Sequence, residues 1–138
     1  MSILTLKIRL TGWRGDRYPW TRIIEIPEEA SLEELHFAIQ ELTGFDNDHM
    51  YEFYAGRSPN QHKIEFGSPA SPYEPSDYEQ VLLCQVYPLN RLKLYYLFDF
   101  GDRWTFEISR RPGSRALNNK VKYPRIVEKS GRKLRQYG

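Results

Sequence analysis

The stretch that decides the fold is residues 94–108, LYYLFDFGDRWTFEI, in which two aromatic-rich runs flank a Gly-Asp turn signal. Strand-forming runs separated by a short turn of this kind predict an antiparallel β-hairpin. A loop of three residues, 101–103, pairs Phe98 with Phe106 and gathers most of the large apolar side chains on one face. Because burial of one face sets the register of a strand pair, we favour this loop over a two-residue turn.

One helix is clearly predicted, over residues 31–42. Ser31 and Glu34 have the spacing of a capping box, in which each side chain accepts a hydrogen bond from the other's backbone N–H. Apolar residues recur at helical spacing from Leu35 onward. Gly44 follows and can adopt the left-handed conformation that ends a helix. We therefore expect an amphipathic helix whose apolar side faces a sheet.

Further strands are predicted on both sides of this helix. Residues 3–10 alternate between polar and apolar side chains, which is typical of a half-buried strand. The β-rich segments 20–26 and 50–54 predict two more strands, whereas the glycines and proline of residues 11–19 predict a loop. Residues 78–87 fit either a short helix or a buried strand.

Length and composition indicate one domain. The chain has 138 residues, of which 40% are hydrophobic, and this is enough for a single core, so we expect residues 1–138 to form one domain. Residues 57–77 hold four prolines and predict an irregular loop, and loops of this length are usually functional or mobile. The single Cys84 excludes an internal disulfide. No signal peptide or membrane span is predicted near the N-terminus, so we expect a cytoplasmic location and no membrane partner.

The charge distribution is strongly uneven. Residues 110–138 contain ten Lys or Arg and one acid, which makes this basic C-terminal segment +9, while the rest of the chain is −7. A basic segment of this kind is typical of a nucleic-acid-binding arm. It can equally be structural and neutralise the acidic body, an interpretation that the attraction between opposite charges favours.

Several motifs resemble one known family. The hairpin fits most of the pattern Y-x-Y-D-F-G-D-x-W-x-H of the Ri-plasmid ORF-three-like family, with Phe98 at the second tyrosine and Phe106 at the histidine. Shorter matches occur along the chain in the family's order. They are Leu35-His36 with Ile39-Gln40, His49-Met50-Tyr51-Glu52-Phe53, Trp20-Thr21-Arg22, and Tyr123-Pro124 with Gly131 and Gln136-Tyr137.

The resemblance implies a fold class and a context but no reaction. It implies an α+β fold, a small α/β roll in which a mixed, mainly antiparallel sheet packs on one main helix. Proteins of this family are often labelled insertion-sequence passenger or resolvase-like proteins, which implies an association with plasmids or mobile elements.

Candidate site residues have two interpretations each. Asp99 and Asp102 can bind a hard cation such as Mg²⁺ through their carboxylates, or they can stabilise the hairpin turn, which we favour. His49 and Glu52 are the side chains that would complete a metal site. Trp104, with Trp13 and Trp20, can stack on nucleic-acid bases or pack in the core.

The sequence thus predicts a non-catalytic binding module without catalytic residues, a cofactor or a bound metal. Its expected partner is a nucleic acid bound through the basic C-terminal segment, or another protein. The alternative is a metal-dependent hydrolase or nuclease that uses Asp99 and Asp102. The candidate functional surface comprises Asp99, Asp102, Trp104, His49, Arg132, Lys133 and Arg135.

Overall fold

A computed structural model describes residues 2–136 of the chain. Met1 and the last two residues, including Tyr137 of the tail motif, lie outside the described residues. The described strands are β1 Ser2–Leu10, β2 Thr21–Pro27, β3 Tyr51–Gly56, β4 Ile64–Glu65, β5 Lys93–Phe98, β6 Trp104–Arg110, β7 Arg115–Ala116 and β8 Arg125–Ser130. The helices are α1 Gly12–Arg17, α2 Leu32–Thr43 and α3 Leu83–Val86, with a 3-10 helix at Asp77–Gln80.

The strands form one sheet in the order β4-β3-β5-β6-β1-β2-β8, and β7 pairs with the end of β1. The expected α+β roll, with a mixed sheet on one main helix, is therefore wrong. Every strand pair in the described part is antiparallel, and the fold is β-rich with short helices. Antiparallel neighbours need no crossover helix, and the segment after β6 adds two further strands to the sheet.

The hairpin of β5 and β6 has the predicted faces but a longer loop. Phe98 pairs with Trp104, and Tyr96 pairs with Phe106, so the connection has five residues, 99–103, instead of three. Phe98 and Phe106 still lie on one face, in the main core. The prediction of an odd number of loop residues is right, because burial of one face sets the register of the strands. The number itself depends on Asp99, which leaves the strand with φ +64°.

Helix α2 is confirmed in its position, its glycine C-cap and its buried face, and the Ser31 half of the predicted capping box is present. The Ser31 Oγ accepts a hydrogen bond from the Glu34 backbone N–H at 3.1 Å, and Gly44 ends the helix with φ +76°. Leu35 and Ile39 are fully buried against the sheet. Burial of these side chains contributes most of the helix's stability, because isolated helices of this length are marginal in water.

The two faces of the sheet are covered differently. The face toward α2 and α3 holds the main core, which includes the alternating residues of β1, β5 and β6. The opposite face holds a small cluster of Tyr54, Tyr95 and Leu97. Part of the proline-rich loop covers it, since the His62 ring stacks on Tyr54 at 3.6 Å and the Tyr54 hydroxyl donates to the Pro59 carbonyl at 2.6 Å.

Candidate nucleic-acid interface

The two hairpin aspartates form a turn rather than a paired carboxylate site. One carboxylate oxygen of Asp99 accepts hydrogen bonds from the backbone N–H groups of Gly101, at 3.1 Å, and of Asp102, at 3.2 Å. The backbone carbonyl of Asp102 accepts a hydrogen bond from the Arg14 side chain at 3.0 Å, which joins the loop to α1. This is the local backbone bonding by which aspartate stabilises turns.

Of the two side chains expected to complete a metal site, only His49 lies beside Asp99. Its second carboxylate oxygen lies 3.4 Å from the His49 Nε2. Glu52 lies elsewhere, paired with His62 at 2.9 Å. Within residues 2–136, no three His, Cys, Asp or Glu side chains converge as metal ligands. The described part of the chain therefore offers the hydrolase alternative no convergent set of three ligands.

A buried ring of hydrogen bonds joins α2 to the sheet, and the sequence did not reveal it. The His36 Nδ1 lies 2.6 Å from the Tyr96 hydroxyl, and its Nε2 lies 2.7 Å from the Asn47 Oδ1. Gln40 closes the ring by donating to the Tyr96 oxygen at 3.0 Å and accepting from the Asn47 N–H at 2.9 Å. The only arrangement that satisfies each group has the His36 proton on Nε2.

This histidine is uncharged in the folded protein. Burial lowers the pKa of His36 to about 4, and its hydrogen bond to Asn47 offsets only part of that effect. The Tyr51 ring stacks on it with centroids 3.6 Å apart. The ring of hydrogen bonds thus fixes the position of α2 and of the loop that follows it. The helical spacing of His36 and Gln40, on the buried side of α2, is the sequence signal that could have indicated this ring of hydrogen bonds.

Two arginines of the basic segment have a structural role. The carboxylate of Glu25, which is only 1% exposed, forms ion pairs with Arg115 and Arg125, the latter at 2.6 Å. Arg115 lies on β7 and Arg125 on β8, so the pairs attach both strands to β2. Here the basic segment neutralises the acidic body.

The chain after β8 is docked against the end of the sheet. Leu134 is 7% exposed and belongs to the main core. The Gln136 side chain donates to an Asp48 carboxylate oxygen at 2.8 Å and accepts from the Asp46 backbone N–H at 2.8 Å. The basic residues that surround Leu134 are therefore held on the surface of the protein and do not form a free arm.

These residues are Arg132, Lys133 and Arg135, which we call the tail cations. All three are exposed. Within residues 2–136, none of them forms an ion pair with an acidic side chain. They are the members of the predicted functional surface whose charge is most open to an external partner.

The three tryptophans have different environments. Trp104 is 3% exposed and Trp20 is 2% exposed, so both belong to the core. Trp13 is 66% exposed on α1, a helix where the sequence predicted a loop. The Arg14 guanidinium carbon lies 4.2 Å from the Trp104 ring centroid and 4.8 Å from that of Trp13. The base-stacking interpretation therefore fits Trp13 alone.

Helix α1, the hairpin loop 99–103 and the tail 131–136 lie at the same end of the sheet. The Thr11 backbone N–H and hydroxyl both donate to the Thr105 carbonyl, which joins α1 to the start of β6. Ser130 pairs with Thr21 at the start of β2, which leads the tail to this end. We call these three segments together the sheet-end surface.

Charges of both signs occur on the sheet-end surface. Its exposed aromatic residues are Trp13, Tyr18 and Phe100. Its cations are Arg14, Arg17, Arg103 and the tail cations, and acids nearby are Asp16, Asp46, Asp48, Asp99 and Asp102. This mixture of aromatic and cationic side chains is typical of nucleic-acid-binding surfaces, although its net charge is small.

The fold and this surface define a β-rich protein with an aromatic and cationic end and, among the described residues, no cluster of metal-ligating side chains. A family model described as plasmid pRiA4b ORF-3-like protein matches residues 2–135. The chain belongs to that family.

One relative and one solved structure are similar to the chain, and the description of neither gives a function. The chain is 32% identical over 90 residues to the uncharacterized protein y4hQ of Sinorhizobium fredii (strain NBRC 101917 / NGR234), a match that covers 63% of the chain and 43% of that relative. The chain therefore spans less than half of the relative's length. A protein of unknown function from Methanosarcina mazei Go1, MM3350, has the same fold, with a TM-score of 0.70 and 24% identity over 93% of this chain and 68% of the other.

The expectation about membranes is answered only in part. Each helix within residues 2–136 is too short or too polar to cross a bilayer. The expected cytoplasmic location stays a prediction.

Proposed function

We propose that this protein is a non-catalytic binding module whose ligand is a nucleic acid, contacted through the tail cations. The observation that carries the proposal is the contrast within the basic segment. Arg115 and Arg125 are paired with a buried acid, whereas the tail cations are held on the surface by Leu134 without such a partner in the described chain. Positive charge held in place without an internal partner is available to phosphate groups.

Phosphate contacts account for the expected strength of binding. Lys and Arg side chains that neutralise phosphates release condensed counterions, which gives non-specific dissociation constants of about 10⁻⁴–10⁻⁶ M at physiological salt. An association with plasmids or mobile elements belongs to the same proposal and is supported by the description of the family.

The non-catalytic part of the proposal is supported by the hairpin turn. The Asp99 carboxylate is engaged by backbone N–H groups and lies beside His49, and Asp102 is exposed at the loop. A carboxylate that caps its own turn is held in place by that bonding and does not point toward a second carboxylate. Asp99 therefore has a structural role in the module.

The test is a direct binding measurement with fluorescently labelled DNA of generic sequence, as a single strand and as a duplex, at about 50 mM salt. We expect dissociation constants at or below the non-specific range of about 10⁻⁴–10⁻⁶ M. The variant Arg132→Gln, Lys133→Gln, Arg135→Gln should weaken binding. A matched control removes three exposed cations remote from this end of the sheet: Lys63→Gln, Lys120→Gln, Lys122→Gln.

Binding weaker than about 10⁻⁴ M on both probes would contradict the proposal, since ordinary non-specific binders reach that value. A protein partner would then become the favoured interpretation. Equal weakening by the two triple variants would contradict the assignment of the contact to the tail cations.

A further inference from the structure

We infer that the sheet-end surface carries a base-stacking site for single-stranded nucleic acid, formed by Trp13 on α1 and Phe100 on the hairpin loop, two segments that Arg14 joins. The inference rests on the proposed function and adds the class of nucleic acid to it. It concerns α1 and the hairpin loop, which lie apart in sequence from the basic C-terminal segment.

Arg14 connects the parts of this site. Its guanidinium carbon lies 4.8 Å from the Trp13 ring centroid and 4.2 Å from that of Trp104, and its Nη2 donates to the Asp102 carbonyl at 3.0 Å. Within residues 2–136, the buried Arg14 Nε and Trp104 Nε1 have no hydrogen-bond acceptor, so the rings and the guanidinium are held by cation–π contact. This contact orients the Trp13 ring and still leaves 66% of the residue exposed.

Phe100 lies on the hairpin loop to which Arg14 is hydrogen-bonded. It is 39% exposed and is two residues from Asp102, whose carbonyl Arg14 binds. The loop that carries Phe100 is fixed by the hydrogen bonds of Asp99 to two backbone N–H groups. Trp13 and Phe100 are thus two exposed aromatic side chains on supports that are joined to each other.

An exposed ring of this kind favours a single strand over a duplex. Bases in a duplex are stacked on one another, whereas those of a single strand can be splayed out and stacked on aromatic side chains. The mixed charge of the surface points the same way. Several acids nearby oppose phosphate contacts at this surface, so stacking of bases on the exposed rings adds affinity that the phosphate contacts do not supply.

Charge complementarity selects this ligand over an apolar protein surface. Arg14, Arg17 and Arg103 lie on the segments that present the two rings, and the tail cations lie at the same end of the sheet. Aromatic side chains and arginine also occur at protein interfaces. A nucleic acid is the partner that uses both features at once, since each nucleotide offers a base to stack and a phosphate to pair.

The experiment compares Trp13→Ala and Phe100→Ala with Tyr73→Ala, which removes a 78% exposed aromatic residue from the proline-rich loop. The probes are a labelled thymidine 20-mer and a mixed-sequence duplex of the same length. Loss of one stacked base should weaken binding of the strand by about 5- to 150-fold. The duplex should change less than about twofold, Tyr73→Ala should leave both unchanged, and Trp13→Phe should recover most of the affinity for the strand.

A signal independent of affinity is the tryptophan fluorescence. Trp13 is the exposed tryptophan, so the strand should quench it in the wild type, and the quenching should be lost in Trp13→Phe. The inference is overturned if Trp13→Ala leaves strand binding unchanged or weakens strand and duplex equally. In that case the proposed function stands if the tail-cation variant still weakens binding, so the two failures are distinguishable.

Discussion

Two groups of cations in the same basic segment have opposite environments. Arg115 and Arg125 both contact Glu25, an acid that is 1% exposed in the sheet. The tail cations, a few residues further along the chain, surround a buried leucine and lie on the surface. The comparison teaches that a composition of ten bases and one acid in residues 110–138 describes two roles at once, because the partners lie in distant parts of the sequence.

The largest effect should come from removing the cations around the buried acid. The double variant Arg115→Ala, Arg125→Ala leaves the Glu25 carboxylate buried without a counter-charge. Such a loss costs about 3–5 kcal/mol, and we expect a value near about 3 kcal/mol because both arginines are partly exposed. The free energy of unfolding from urea titration measures it.

The control for that variant adds Glu25→Gln to the double substitution. Without a charge to bury, most of the lost stability should return. A loss below about 1 kcal/mol in the double variant, well short of the cost of an uncompensated buried charge, would mean that the two groups of cations do not differ as described.

The second test concerns His36, which, unlike the arginines at Glu25, has no acidic side chain in its ring of hydrogen bonds. The pKa of His36 is lowered to about 4 in the folded protein, against about 6.5 when unfolded, because burial penalises the charged imidazolium. The unfolded chain therefore binds more protons between these values. The contribution of the neutral His36 to the free energy of unfolding should be fully present above about pH 6.5, and it should fall by about 3 kcal/mol as the pH decreases to about 4.

Urea titrations from pH 7 to pH 4 check this expectation. The variant His36→Gln lacks the titrating group and should lose this part of the pH dependence while being less stable at pH 7. If His36→Gln retains the same decrease as the wild type, the pH dependence arises elsewhere, and the buried ring of hydrogen bonds is not its source.

A third test separates the tail cations from the docking that holds them. Leu134→Ala should destabilise the protein by about 2 kcal/mol, the lower end of the range for buried leucine, since its neighbours on both sides are exposed and the segment can relax. It should also weaken nucleic-acid binding without changing any charge. Unchanged binding would show that the tail cations act as a flexible arm.

The smallest effect on stability should come from the tail cations themselves. Arg132→Gln, Lys133→Gln, Arg135→Gln changes exposed side chains without ion pairs in the described chain, so the free energy of unfolding should stay within about 0.5 kcal/mol of the wild type. A loss similar to that of the Arg115 and Arg125 double variant would show that both groups are structural.

Local patterns predicted some elements well. The caps and apolar spacing located α2, and the aromatic pattern gave the correct faces of β5 and β6, because both signals depend on residues close in sequence. The five-residue loop depends on how the Asp99 carboxylate binds backbone groups, which spacing does not reveal. The family was recognised from combined motifs, yet the fold class that this resemblance implied overestimated the share of helix.

The site was predicted only in outline. The hairpin aspartates, His49 and the tail cations of the predicted surface lie at one end of the sheet, a placement that the sequence did not predict, whereas Trp104 is covered by Arg14 and lies in the core. The sequence does not distinguish the exposed Trp13 from the two buried tryptophans. Its helix α1 is short and contains glycines, so in sequence it resembles a loop. Which cations pair with Glu25 required the strand order, a long-range property.

The most direct test of nucleic-acid binding through the tail cations is the salt dependence of the dissociation constant for the single strand. Each phosphate contact contributes about 0.7 to the slope of log affinity against log salt concentration on single strands. We predict that the Arg132, Lys133 and Arg135 triple variant has a slope lower than the wild type by up to about 2. The control variant at Lys63, Lys120 and Lys122 should keep the wild-type slope. A tail-cation variant with an unchanged slope, or a control that is flattened equally, would contradict the account.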